Sequence, residues 1–160
     1  MAQKVMIALD SSEGAWHAVE YVARTLGRTP EVEIILAHIL SGLPPAFWDD
    51  GHILNERERQ ARERLKANWQ AEQERQWQGL VDKAKSQLTA AGIPPERIST
   101  LFKPKYYDVA EDLVTEAEAH GCDTIVLGRR GLGAARSLML GSVTNKVVHN
   151  SRGLAVTIVS

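Results

Sequence analysis

Gly128, Gly131 and Gly141, with Ser142 beside the last, sit where the apolar run Thr124-Ile-Val-Leu127 gives way to a loop. After the loop comes Ser142-Val-Thr-Asn-Lys-Val-Val148, which reads as a helix. Glycine lets a backbone approach an anion closely and present its N–H groups. A helix start adds unpaired N–H donors and the positive end of the helix dipole. Residues of these types in this order suit an oligophosphate, so a nucleotide is the first ligand to consider. Asp10 closes the apolar run Val5-Met-Ile-Ala-Leu9 and offers a carboxylate to a ribose hydroxyl. Three glycines in isolation are better explained by tight turns, and Asp10 by capping of a helix.

The two standard glycine fingerprints are absent. A dinucleotide-binding loop needs G-x-G-x-x-G after the first strand, where the chain reads Asp10-Ser-Ser-Glu-Gly-Ala. A P-loop ends in Gly-Lys-Ser/Thr, and Gly128-Arg-Arg-Gly-Leu-Gly133-Ala-Ala lacks the lysine. No His/Cys/Asp cluster has zinc spacing, and no metal ligand set is expected. Ser/His/Asp triads are not local in sequence, and none is evident. Cys122, the single cysteine, reads as a packing residue, and His38, on an apolar strand, as a hydrogen-bonded structural histidine.

The elements that must hold these residues alternate between strand and helix. Val5–Leu9, Val32–Ile39, Arg97–Phe102, Thr124–Leu127 and Leu154–Val159 read as strands. Helices are expected over about Gly14 to Leu26, Asn55 to Ala91, from an Asp108 cap to Gly121, and Ser142 to Asn150. Continuous rather than alternating apolarity in the first strand suggests burial on both faces, as in parallel sheets. This is an α/β domain. The helix over 55–91, continuous or interrupted, is dense in charge. Leu65, Trp69, Trp77, Leu80, Ala84 and Leu88 fall on one side of it, and Glu58/Arg62 is a supporting pair. In open parallel sheets ligands bind beyond the carboxyl ends of the strands, where the winding reverses. If the first and fourth strands are neighbours there, Asp10 and Gly128 face one crevice.

The 160 residues, 44% hydrophobic and 24% charged, suit one globular domain. With 19 basic and 20 acidic residues the formal charge is −1, which leaves no electrostatic footprint for nucleic acid or an anionic membrane. No run approaches the ~20 apolar residues of a membrane span. The short apolar core of the N-terminus does not read as a signal peptide, and a lone cysteine allows no internal disulfide; the expected location is cytoplasmic.

The spacing G-x2-G-x9-G-[S/T], met by Gly128, Gly131, Gly141 and Ser142, resembles the ATP-binding signature of the universal stress protein family. Ala8-Leu-Asp10, Ala37-His38-Ile39, Gly121-Cys-Asp-Thr-Ile-Val-Leu-Gly128 and Leu140-Gly-Ser-Val-Thr-Asn-Lys-Val-Val148 extend the resemblance along most of the chain. The resemblance implies one domain over 1–160, with 49–87 as its variable, charged helical region. Its open, mainly parallel five-stranded sheet would have order 3-2-1-4-5 and helices on both faces. Asp10 would then contact the ribose, with Ala8 as a neighbouring wall. Ile39 would meet the adenine edge through its backbone, and Leu127 would pack on base or sugar. Gly128, Gly131, Gly141, Ser142, Val143 and Thr144 would surround the phosphates, through N–H groups and two hydroxyls, with Arg129 and Arg130 adding charge.

ATP, or ADP or AMP, with Mg2+ on the phosphates is the implied ligand. A homodimer through the last strand is the implied assembly, since Leu154–Val159 carries little to blunt an exposed edge. Tyr107 and Val109 stand where the family often has glycine and proline, and their bulk narrows one pocket wall. The expected function is regulatory: nucleotide occupancy stabilises a dimer or a partner-competent form. No general base or electrophile is arranged for fast turnover, so hydrolysis or self-phosphorylation, at Ser142 or Thr144, would be slow. The alternative is an interaction protein that kept the fold and lost the ligand, working through its tryptophan-bearing helix. An adenylating enzyme would need a Ser-Gly-Gly-rich loop or His-x-Gly-His, and neither is present.

Overall fold

Val5, Met6 and Ile7 are wholly buried in succession because their strand lies at the centre of a sheet covered on both faces. A computed structural model describes residues 2–48, 51–131 and 139–160. Asp49 and residues 132–138, the middle of the glycine-spaced stretch, lie outside the described residues.

The elements run β1 (Lys4–Ala8), α1 (Glu13–Leu26), β2 (Glu33–Leu40), α2 (Glu56–Ala90), β3 (Ile98–Pro104), α3 (Val109–Ala119), β4 (Thr124–Gly128), α4 (Ser142–Asn150) and β5 (Ala155–Val159). All five strands are parallel in the order β3-β2-β1-β4-β5, as expected. Val5 pairs with Ile34 on one side of β1 and with Thr124 on the other. The winding therefore reverses at β1, and the carboxyl ends of β1 and β4 lie side by side.

Alternate residues along the strands feed two cores. Val5, Ile7, Ile34 and Leu36 pack under α1 and α2, while Met6, Ile35, Ile125 and Leu127 pack under α3 and α4. Ser12 caps α1 by accepting from the Ala15 N–H at 3.2 Å. Gly27 ends α1 at a helical φ of −56°, not in a left-handed turn. A Cβ there would meet the Ala91 carbonyl at 2.5 Å, so its bareness serves the close approach of the two helix ends.

The helix over 56–90 is unbroken and about 52 Å long at 1.5 Å per residue. Asn55 and Glu58 form a capping box, with bonds of 3.0 and 2.8 Å. This engages Glu58 in place of the expected pair with Arg62; Glu56–Arg59, Glu63–Lys66 and Glu72–Arg75 are the pairs that form. The expected apolar face is half right. Trp77, Val81, Ala84 and Leu88 are buried and Leu80 partly so, but Leu65 is 57% exposed and Trp69 is only half-buried, its ring 6.4 Å from that of Phe47. No residue from 56 to 76 is buried, so the periodicity there has no core to serve. No described helix is long and apolar enough to cross a membrane.

Candidate functional site

Two cavities of similar size, about 510 and 520 Å3, open on the molecule. The first lies against α1, the end of α2 and the C-terminal Ser160, away from the strand ends beside β1 and β4. The second sits over the carboxyl ends of β1, β2 and β4, where the winding reverses, and chemistry separates the two. It gathers Ala8, Asp10, Ile39, Leu127, Gly128, Arg130, Gly131, Gly141, Ser142, Val143 and Thr144, but not Arg129, the other arginine expected to add charge. Towards β2 and α3 its lining is apolar, with Ala37, Ile39, Val109 and Leu113; towards β4 and α4 it is polar and rich in main chain.

Asp10 is held from behind. Its Oδ1 accepts from the Ser12 N–H at 2.8 Å, so Ser12, not Asp10, caps α1. Its Oδ2 faces Gly131, where an added Cβ would lie 3.6 Å away and meet nothing else among the described residues. Carboxylate and glycine turn thus oppose one another across the opening.

Gly128 is bare for a different reason than access to an anion. A Cβ on it would lie 2.3 Å from the Gly14 carbonyl carbon, and a Cβ on Gly14 would lie 2.5 Å from the Arg130 carbonyl oxygen. The start of α1 therefore rests on the end of β4, backbone on backbone. Gly14 is a residue that reading the sequence missed, because nothing local distinguishes a contact glycine from a turn glycine. The loop after β4 is tied down by two further bonds. The Arg129 N–H donates to the Val159 carbonyl at 2.7 Å, and the Gly141 N–H donates to the Arg129 carbonyl at 3.0 Å. Thr144, 4% exposed, donates its hydroxyl to the Gly128 carbonyl at 2.9 Å. The Gly141 N–H and the Thr144 hydroxyl, both expected among the ligand donors, are thus occupied in holding the turn.

Open donors remain. Gly141 precedes α4 without a side-chain cap, and among the described residues the N–H groups of Ser142, Val143 and Thr144 make no hydrogen bond. Ser142 is exposed. Arg130 lines the same cavity, and its Nε is buried with no hydrogen-bond partner among the described residues. An unpaired buried guanidinium nitrogen is costly unless a ligand completes it. A helix N-terminus, a cationic side chain and an opposed carboxylate so arranged form a receptor for a molecule that is anionic at one end and hydroxylated nearby.

The sequence matches the profile of the Universal stress protein family over residues 1–159. The chain belongs to the universal stress protein family. Universal stress protein YxiE of Bacillus subtilis is 25% identical over 155 residues, covering 92% of each chain. A universal stress protein solved in complex with cAMP superposes with a TM-score of 0.62 at 20% identity, over 99% of this chain and 96% of that one. A universal stress protein from Archaeoglobus fulgidus in complex with dAMP gives 0.64 at 16% identity, over 100% and 98%. At these identities the likeness of the structures establishes the fold.

Several flanking residues of this universal stress protein take defined roles. Val109 lines the cavity, whereas Tyr107 is exposed and stacks edge-on against Tyr106 at 4.5 Å. Bulk therefore enters the wall at one of the two positions. Asp108 caps α3 through the Ala110 and Glu111 N–H groups and reaches Lys146 of α4 at 3.0 Å. The Glu111 N–H, followed by the Lys146 ammonium, holds the Asp108 carboxyl below its ordinary value. Cys122 is buried and free, and its burial pushes the thiol pKa up, as befits a packing residue. His38 is structural: Nδ1 lies 2.8 Å from the Leu9 carbonyl, so it must carry the hydrogen.

Proposed function

We propose that the chain binds an adenine nucleotide, ATP or its ADP and AMP forms, in the cavity over β1 and β4. Occupancy would modulate a homodimer or a partner-competent form in a cytoplasmic stress response. The observation that carries the reading is the unpaired, buried Nε of Arg130, in one cavity with the open N–H groups of α4 and the free oxygen of Asp10. Phosphates would take the α4 N–H groups, the Gly131 N–H and the Arg130 guanidinium. Asp10 Oδ2 would accept from a ribose hydroxyl beside the wall made by Ala8, while Leu127 and the Ile39 main chain border the base. Fold relatives solved with cAMP and with dAMP support an adenine nucleotide as the class of ligand. Mg2+ would ride on the phosphate oxygens; among the described residues no three His, Cys, Asp or Glu gather to hold a metal. Self-phosphorylation, if it occurs, would use the exposed Ser142, since the Thr144 hydroxyl is buried and engaged.

The β5 edge, unpaired on its outer side among the described residues, would join two copies antiparallel. A second reading, an interaction protein without ligand, is favoured only by the exposed first half of α2. Heat denaturation of the purified protein, chromatography of the released small molecules and a thermal shift on adding Mg-ATP decide between them. Released adenine nucleotide or a raised melting temperature supports binding; neither, on repetition, leaves the interaction reading.

A further inference from the structure

The histidine behind the cavity touches both the site and the long helix. Leu9 is gripped from β2 through both of its peptides: its N–H donates to the Ala37 carbonyl at 2.8 Å, and its carbonyl, part of the Leu9–Asp10 peptide, accepts from His38 Nδ1 at 2.8 Å. The second bond fixes the peptide plane from which Asp10 projects. The His38 ring leans on two aromatic rings beneath the sheet. Its centroid lies 5.8 Å from Phe102, nearly parallel at 14°, and 5.7 Å from Trp77 at 31°; Trp77 and Phe102 stack at 5.6 Å. Trp77 is 8% exposed and is the first buried residue of α2, at the point where the exposed half of that helix meets the core.

We propose that His38 is a positioning residue that couples occupancy of the cavity to α2: it sets Asp10 through the Leu9 carbonyl and passes any displacement of that peptide to Trp77. The inference rests on the nucleotide reading of the site and adds an output to it. A hydroxyl drawn onto Asp10 pulls the peptide His38 holds. In a close-packed interior the ring cannot tilt without changing its contacts with Trp77 and Phe102. The exposed arm of α2 then becomes the element that reports the bound state, by a route that needs no movement of the glycine turns.

Two substitutions separate the bond from the ring. His38→Asn keeps a donor near the Nδ1 position and removes the ring; His38→Phe keeps a ring and removes the donor. Fluorotryptophan-labelled protein, otherwise unaltered, is titrated with Mg-ATP and followed by fluorine NMR, with the Trp77 resonance assigned from a Trp77→Phe protein. Calorimetry measures affinity in parallel. The parent is expected to show a saturable shift of the Trp77 resonance with the calorimetric midpoint. His38→Asn should bind within about threefold of the parent without that shift, and His38→Phe should bind about tenfold more weakly, or ~1.4 kcal/mol. A Trp77 resonance that stays still while the parent binds, or a shift that persists in His38→Asn, overturns the coupling. Absence of binding heat in the parent instead removes the nucleotide reading, and the coupling with it.

Discussion

Replacing Arg130 with methionine should change stability and affinity in opposite directions. The Nε of Arg130 is buried and has no hydrogen-bond partner among the described residues, and an unsatisfied buried donor costs about 1–3 kcal/mol. Methionine keeps much of the apolar stem and removes the donor. Without nucleotide the variant should therefore be more stable by about 1 kcal/mol, or roughly 2–4 °C in a chain of this length. With nucleotide the order reverses. A hydrogen bond to a charged partner contributes about 1.5–3 kcal/mol, and loss of about 2 kcal/mol weakens binding about 30-fold. At a ligand concentration about 100 times the parent's Kd, binding stabilises the parent by about 2.7 kcal/mol. The variant, then at about three times its own Kd, gains only about 0.9 kcal/mol. Calorimetry with Mg-ATP and thermal melts with and without it measure both effects. A Kd within twofold of the parent, with the ligand-induced shift intact, would refute a phosphate contact by Arg130. A stability loss in the ligand-free variant would refute the claim that its Nε lacks a partner.

The two glycines of the loop after β4 should respond differently to added bulk. Gly131→Val, whose new Cβ meets only Asp10 Oδ2, at 3.6 Å, among the described residues, should abolish nucleotide binding in calorimetry while leaving the unfolding free energy from urea titration within about 0.5 kcal/mol of the parent. Gly128→Ala forces a Cβ to 2.3 Å from the Gly14 backbone and should lower the unfolding free energy from urea titration by about 3 kcal/mol or more. Asp108 is held below its ordinary value of 3.8 by the Glu111 N–H and Lys146. Its stabilisation is therefore complete above that pH and is lost as pH falls through the lower folded value. Asp108→Asn should be less stable than the parent at neutral pH, and the gap in urea titrations should close towards pH 2. Along β5, Ala155 and Val159 bond inward to the β4 side, so the Ile158 N–H points out of the sheet. Ile158→Pro should convert a dimer to a monomer in light scattering at micromolar concentration, and a monomeric parent would remove the dimer.

The burial of the strands was legible because it is written into composition, whereas their order came only with the family resemblance. Val5–Leu9 and Thr124–Leu127 are apolar without interruption, and they became the two adjacent strands covered on both faces; the more alternating Arg97–Phe102 became an edge. The gathering of Asp10 with the glycine turns followed from that order alone. Periodicity misled on Leu65, since an apolar residue at helical spacing is buried only if something lies opposite it, and the first half of α2 extends where no strand does. Roles at the site that depend on approach between distant segments left no local trace. Gly14 against Gly128, the Thr144 hydroxyl on the Gly128 carbonyl, and the unpaired Arg130 Nε exist only once β1, β4 and α4 have met.

These contacts tie the described parts of the opening to one another. Asp10 fixes Ser12, Ser12 caps α1, and α1 sets Gly14 down on Gly128; from the other side Thr144 and Gly141 clasp Gly128 and Arg129. Each wall of the crevice is therefore braced against the same short stretch of β4, and neither can widen without breaking a hydrogen bond or opening a backbone contact. A receptor assembled in this way spends little binding energy on ordering itself. One cost is the Arg130 guanidinium nitrogen left without a partner among the described residues, which on the proposed reading a phosphate oxygen would complete beside the open N–H groups of α4. The three glycines of the spacing thus differ in their surroundings: Gly128 lets two segments meet, Gly141 closes the turn, and a Cβ on Gly131 would meet Asp10 alone among the described residues.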